Sequence, residues 1–172
     1  MSMPLPLYVL DANVFIDAHR RYYAFDICPG FWDAVLHYHK AGRIISIDKV
    51  RQEILAGDAL EAWAKNNAPA LLFKSTAETA VTNHFAAMMN WVQAQAQFKP
   101  AAKVEFARVA DGWVAAYAKS YPDYVAVTHE EYAPAAKRNV PLPNVCKQFG
   151  VPYVDTFMML RELNSQFQFS AP

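Results

Sequence analysis

The chain has 172 residues, 54% of them hydrophobic and 19% charged, and 16 Lys and Arg balance 16 Asp and Glu. This composition excludes an intrinsically disordered chain, and the length suits one domain, which we assign to residues 1–172. Zero net charge excludes binding of nucleic acid by bulk positive charge, so such binding would need a local patch or bound cations.

The cellular setting follows from what the sequence lacks. There is no Cys-x-x-Cys pair among the two cysteines, which argues against a zinc ribbon and favours a reduced environment. No apolar run approaches the roughly 20 residues of a membrane-spanning helix. The N-terminal stretch has no basic region and is interrupted by Pro4 and Pro6, unlike a signal peptide. We therefore expect a cytoplasmic protein that does not associate with a membrane.

Short apolar runs alternate with segments of helical spacing along the chain. Strands are predicted at residues 7–10, 43–47, 124–128 and 151–154. Helices are predicted from an N-cap at Asn13 and over residues 26–42, 46–57, 111–120, 144–150 and 155–163. The Ala-rich stretch 58–110 is predicted to form an insert of two or three helices. This alternation is typical of an α/β domain with a parallel sheet of four or five strands covered on both faces.

Four carboxylates stand at informative places in this pattern. Asp11 ends the first strand, and Glu130 follows the strand at 124–128. Asp111 begins the helix that leads into that strand, and Glu53 lies on the helix after the second strand. Each alone is explained as a helix cap or a solvated charge. Together, four acids from four elements are expected to converge at the carboxyl end of the sheet, where open α/β sheets bind their ligands.

Two polar residues are expected to support these acids. Ser46 precedes Glu53 by seven residues, or two helical turns, so both are predicted to face the same way; Ser46 serves equally well as only a helix cap. Asn13 is expected to cap its helix and to orient the groups around Asp11.

Carboxylates that converge repel one another unless a cation compensates them. A set without His or Cys suits Mg²⁺ or Mn²⁺ and not zinc. These ions activate water and neutralise phosphate oxygens, a chemistry that serves phosphodiester hydrolysis. Basic residues that could line a phosphate track are Arg20, Arg21, Lys49, Arg51, Lys137 and Arg138, although a solvated face is at least as good an explanation for each.

The sequence resembles the PIN-domain ribonucleases, which include the VapC-type toxins of bacterial toxin–antitoxin pairs, and especially a small bacterial PIN-like group described as a domain of unknown function. The similar segments are YVLDANVFIDA, SIDKVRQEIL, ADGWVAAYA and VAVTHE, with RRYYAFDICPGFWD typical of the subgroup. The resemblance runs in order over about residues 7–155.

The resemblance implies a PIN-like three-layer α/β/α fold and a metal-dependent endoribonuclease that cleaves RNA as the toxin of a toxin–antitoxin pair. Asp11, Glu53 and Asp111 then hold Mg²⁺ or Mn²⁺ and Glu130 takes the fourth acidic place. Asn13 and Ser46 become supporting residues. A protein antitoxin and a homodimer are implied as partners.

Two features depart from the family pattern. The fourth acid is usually Asp, whereas this chain has Glu130 with Glu131 beside it, and either could fill the position. The chain is also longer than a minimal toxin of this kind.

The sequence argues against one rival function and leaves two alternatives open. A haloacid-dehalogenase-like phosphatase needs Asp-x-Asp, and Asn13 occupies the third position of that motif. A structure-specific DNA nuclease of related fold would use the same acids. A non-catalytic PIN-like module for binding or oligomerisation would use none of them.

Overall fold

The structure is a computed structural model that describes residues 4–172. Residues 1–3, part of the stretch expected not to be a signal peptide, lie outside the described residues. The strands are β1 Leu7–Leu10, β2 Ile44–Ile47, β3 Phe73–Lys74, β4 Tyr124–Val127 and β5 Tyr153–Val154. The helices are α1 Ala12–Asp17, α2 Pro29–Lys40, α3 Asp48–Ile54, α4 Ala59–Asn66, α5 Thr79–Ala94, α6 Pro100–Arg108, α7 Asp111–Ser120, α8 Leu142–Phe149 and α9 Thr156–Glu162, with a π-helical turn Ala18–Tyr22 and a 3₁₀ turn Ala70–Leu72.

All five strands are parallel and lie in the order β3-β2-β1-β4-β5. The chain therefore starts in the middle of the sheet, builds one side, and then crosses to the other side of β1. The crevice between the carboxyl ends of β1 and β4 is the point at which the strand order reverses, and ligands bind at such points in open α/β sheets. The predicted parallel α/β sheet is confirmed.

The central strands are buried because short apolar runs are covered by helices. Tyr8, Val9 and Leu10 are fully buried, as are all four residues of β2. Helix α7 contacts β1, β2 and β4, and α2 contacts β2. This arrangement is consistent with three layers, helix, sheet and helix. Within the described residues, no helix is both long and apolar enough to cross a membrane.

The segment 58–110 differs from the prediction of a purely helical insert. It forms α4, α5 and α6, but it also contributes the edge strand β3, which pairs with β2 through Ser46 and Phe73. A two-residue strand has too little sequence pattern to be recognised, and its pairing depends on β2 and on the burial of Leu72 and Phe73.

Helix α5 of this segment packs closely against α7 and so sets the position of the start of α7. Phe85 stacks on Trp113 with ring centroids 3.8 Å apart. A Cβ atom on the neighbouring Gly112 would lie 3.0 Å from the methyl carbon of Met89 and 3.2 Å from the ring of Phe106. The absence of a side chain at Gly112 thus permits the close approach of α5, α6 and α7 next to Asp111.

Candidate active site

Asp11 directly follows β1 and caps α1. Its Oδ1 accepts a hydrogen bond from the backbone N–H of Asn13, and its extended backbone is that of an N-cap residue. Asn13 is therefore inside the helix, and the prediction that Asn13 is the cap was wrong. The carboxylate of Asp11 is completely buried, and its Oδ2 has no hydrogen-bond partner among residues 4–172. A buried, unpaired carboxylate oxygen is costly unless a proton or cation compensates it.

Ser46 supports this corner from the neighbouring strand. It is fully buried in β2, and its hydroxyl donates a 2.7 Å hydrogen bond to the carbonyl oxygen of Leu10. The predictions that Ser46 shares a helix face with Glu53 or caps that helix were both wrong, because α3 begins two residues later. Its observed contact fixes the last residue of β1, immediately before Asp11.

Glu53 and Asp111 meet where α3 approaches the beginning of α7. The Oε1 atom of Glu53 accepts a 2.6 Å hydrogen bond from the N–H of Ala110, the residue before α7. Asp111 is the first residue of α7 and not its cap, which is Ala110. The interaction with Glu53 therefore holds the backbone that carries Asp111.

Glu130 reaches the site from the loop after β4. Its N–H donates to the Thr128 hydroxyl at 3.2 Å, and its Oε2 accepts a 2.6 Å hydrogen bond from the N–H of Leu142 at the start of α8. Glu131 is exposed. Of the two adjacent acids, Glu130 is the one whose side chain lines the acidic cavity described next.

Three of the four acids line one cavity of about 230 Å³, which we call the acidic cavity, and Glu105 also lines it. It is lined by Glu53, Asp111 and Glu130 together with Asn13 and Arg138. Asp11 lies beneath the surface and interacts electrostatically with Asp111 and Glu130. A larger groove of about 820 Å³ between α2 and the C-terminal segment is lined by none of these acids.

Burial raises the pKa values of all four acids, and repulsion within the cluster raises those of Asp11 and Asp111 further. Burial is the main cause for each of them. Repulsion by Asp11, then by Glu130 and Glu53, further raises the pKa of Asp111. Glu130 similarly raises the pKa of Asp11, while the Thr128 hydroxyl opposes that shift. A site without compensating cations therefore favours protonated carboxyl groups, and a divalent cation would replace those protons.

The oxygen atoms are only partly available as ligands. Asp11, Glu53 and Glu130 each use one oxygen to accept a backbone N–H. In the part of the chain that the structure describes, no three His, Cys, Asp or Glu side chains are close enough together to hold one ion. An all-carboxylate set nevertheless matches the chemistry of Mg²⁺ and Mn²⁺, and Mg²⁺ retains several of its waters in protein sites.

The predicted basic residues divide into two groups. Lys49 lies over the ring of Trp113, 5.2 Å from its centroid, in a cavity that borders the acidic cavity at Glu53. Arg108, which the sequence analysis missed, lines the same cavity and forms an ion pair with Glu105. Its place at the end of the helix just before Asp111 was the available signal.

Four of the other predicted cations do not line the acidic cavity: Arg20, Arg21, Arg51 and the exposed Lys137. Arg20 and Arg21 are exposed on the π-helical turn, and Arg21 lies 3.8 Å from Asp17. Arg51 is half-buried on α3. Arg138 is the predicted cation that lines the acidic cavity itself.

Comparison with known proteins gives one match. The model of a family described as a domain of unknown function (DUF4411) matches residues 8–167 and so spans all four acids and, apart from Leu7, the whole sheet. No curated protein and no solved structure is significantly similar to the chain.

Proposed function

The chain belongs to the DUF4411 family, and we propose that this member is an endoribonuclease that hydrolyses RNA phosphodiester bonds with the help of Mg²⁺ or Mn²⁺. The observation that carries this proposal is the convergence of four acids at the switch point of the sheet. The buried, unpaired Oδ2 of Asp11 lies at the base of this cluster. A bound cation would compensate the cost of burying that oxygen.

The carboxylates Asp11, Asp111, Glu53 and Glu130 would hold the cation, directly or through its retained waters. When bound, the ion would supply Lewis acidity and activate water for attack on phosphorus. Glu53 and Glu130 each keep one carboxylate oxygen that does not accept the backbone N–H. Those oxygens would accept hydrogen bonds from a water that the ion retains and so orient it for attack.

Positive side chains at the rim would hold the substrate. Arg138 lines the acidic cavity and Lys49 lines its neighbour, so phosphates entering from this side meet a cation before they meet the acids. Arginine binds phosphate oxygens in a bidentate manner, whereas lysine acts as a point charge.

The PIN-like architecture and the cellular role are extensions of the same proposal. The motif order supports them: an Asp after the first strand, a Glu on the helix after the second, an Asp opening the helix before β4, and an acid after β4. On this reading the protein is a cytoplasmic toxin, neutralised by a protein antitoxin, and forms a homodimer. Expression of the wild type should then arrest growth, and expression of Asp111→Asn should not.

Cleavage assays test the catalytic proposal directly. Matched single-stranded RNA and DNA oligonucleotides are incubated with the protein in Mg²⁺, in Mn²⁺ or in EDTA. We expect internal cleavage of RNA only with a metal, loss of cleavage in Asp111→Asn, and full activity in the exposed control Glu131→Gln. Metal-dependent cleavage that persists in Asp111→Asn would overturn the proposed site. Preferential cleavage of the DNA oligonucleotide would show that the substrate is DNA and not RNA.

A second candidate, a non-catalytic module, is favoured by one observation. Three of the acids already accept a backbone N–H and so brace α1, α7 and α8. A module of this kind would keep its carboxyl groups protonated and gain no stability from Mn²⁺. A competent site gains stability with the logarithm of the metal concentration once that concentration exceeds Kd.

A further inference from the structure

A cluster of aromatic rings shares the loop after β4 with the acidic cavity. Tyr22, His129 and Phe157 form a triangle with ring centroids 5.4 to 5.8 Å apart. We call it the aromatic platform. His129 immediately precedes Glu130, so one loop contributes an acid to the acidic cavity and a ring to the platform.

The position of the platform is fixed from three separate elements. Tyr22 ends the π-helical turn, His129 follows β4, and Phe157 is the second residue of α9. The His129 ring is held by a 3.0 Å hydrogen bond between its Nε2 and the hydroxyl of the buried Thr156. Because Phe157 meets Tyr22 edge-on, at 82°, and His129 at 61°, the rings brace one another.

The platform is open to solvent and flanked by positive charge. Tyr22 is 48% exposed, whereas most aromatic rings of the core, such as Phe31, are buried. His129 and Phe157 are half-buried. Arg20 and Arg21 are exposed on the same turn as Tyr22. An exposed ring held rigidly beside two arginines has the chemistry of a surface that stacks a nucleobase and holds its phosphates.

Resting on the proposed function, we infer that the aromatic platform binds a single-stranded segment of the RNA substrate next to the bond to be cleaved. A base would stack on the exposed ring of Tyr22, and Arg20 and Arg21 would contact the adjoining phosphates. Bases inside a duplex are stacked on each other and cannot lie on this ring, so the platform selects unpaired RNA. The positive charges of Arg20 and Arg21 favour RNA, which is a polyanion, over an apolar peptide as the ligand of this surface.

Binding of a fluorescein-labelled 12-nucleotide RNA, followed by anisotropy, tests this inference. All variants carry Asp111→Asn so that cleavage does not interfere, and each is measured with the single strand and with its duplex. Tyr22→Leu removes the ring, and Tyr22→Phe keeps it. Tyr121→Leu is the matched control, since Tyr121 is a partly exposed tyrosine before the opposite, amino-terminal end of β4.

We expect Tyr22→Leu to weaken single-strand binding about tenfold, the effect of losing one stacked base. Tyr22→Phe and Tyr121→Leu should bind as the parent does, and duplex binding should not respond to Tyr22→Leu. Unchanged single-strand affinity in Tyr22→Leu, an equal loss in Tyr22→Phe, an equal loss for duplex, or no binding by the parent would each overturn the platform. Thermal unfolding of each variant separates a loss of fold from a loss of contact. The cleavage assay of the wild type decides the nuclease proposal independently of these affinities.

Discussion

Replacement of Asp111 by Asn should change stability in opposite directions with and without metal. Asp111 is the first residue of α7, and its pKa is raised by burial and by repulsion from Asp11, Glu130 and Glu53. The amide has nearly the same shape and carries no charge. Without metal, the substitution therefore removes a destabilising charge, and with metal it removes a ligand.

The magnitude follows from the electrostatics of the site. A tenfold change in an ionisation constant corresponds to about 1.4 kcal/mol, so a carboxylate with a strongly raised pKa costs the folded, metal-free state several kcal/mol when it is charged at pH 8. Proton uptake by the neighbouring acids relieves part of this cost. We expect Asp111→Asn to gain about 2 kcal/mol in EDTA, or roughly 4–8 °C in Tm for a chain of this size.

Thermal unfolding at pH 8 in EDTA and in a Mn²⁺ series measures both effects. Wild type should gain about 2.7 kcal/mol when Mn²⁺ reaches roughly 100 times Kd, and the variant should gain much less. The order of stability of the two proteins thus reverses between EDTA and Mn²⁺. Glu131→Gln, on the exposed neighbouring acid, should follow wild type throughout. A variant less stable than wild type in EDTA, or one that gains as much from Mn²⁺, would refute the reasoning.

Three further predictions concern pH and the supports of the site. The four acids have raised pKa values in the folded state, so the folded state binds more protons than the unfolded state above about pH 4. Urea unfolding in EDTA should therefore show a free energy of unfolding that falls from pH 5 to pH 8. The affinity for Mn²⁺, measured by calorimetry, should rise over the same range. Glu130→Gln keeps an acceptor for the Leu142 N–H, so it should abolish cleavage without lowering Tm. Glu130→Ala leaves that N–H unpaired, so it should abolish cleavage and also lower the free energy of unfolding, measured by denaturant titration, by about 1–2 kcal/mol. Gly112→Val adds two methyl groups to a Cβ position that already lies 3.0 to 3.2 Å from side-chain atoms of Met89, Phe85 and Phe106, and should cost about 1–3 kcal/mol in urea unfolding. An unchanged stability would contradict the packing argument.

Local sequence pattern predicted the central part of this fold well. The runs at 7–10 and 124–127 are apolar, short and bounded by breakers, and both are buried parallel strands. Because parallel strands end at one edge, placing Asp11 and Glu130 after two such strands was enough to bring them together. The pairing order of the strands then placed both acids at the switch point.

Features that depend on neighbours distant in the sequence were not predicted. Asp11, and not Asn13, caps α1, because its side chain accepts the backbone N–H of Asn13. Both residue types are good helix caps, so composition alone does not decide between them. Ser46 was predicted both in the strand 43–47 and on the helix 46–57, and the pairing of β2 on both sides places it in the strand. The aromatic platform joins Tyr22 to His129, whose separation in the chain leaves no local pattern to read.

The hydrogen bond from Leu142 to Glu130 has a consequence for biosynthesis. During translation, Asp11, Glu53 and Asp111 are made before α8. The side chain of Glu130 lacks its hydrogen bond from Leu142 until that residue has left the ribosome. An incomplete chain that ends before α8 contains all four acids but lacks the Leu142 N–H that orients the side chain of Glu130. Under the proposed function, the ability to hydrolyse RNA would therefore arise late in synthesis, and this delay would spare the messenger RNA and the ribosome that are still producing the chain.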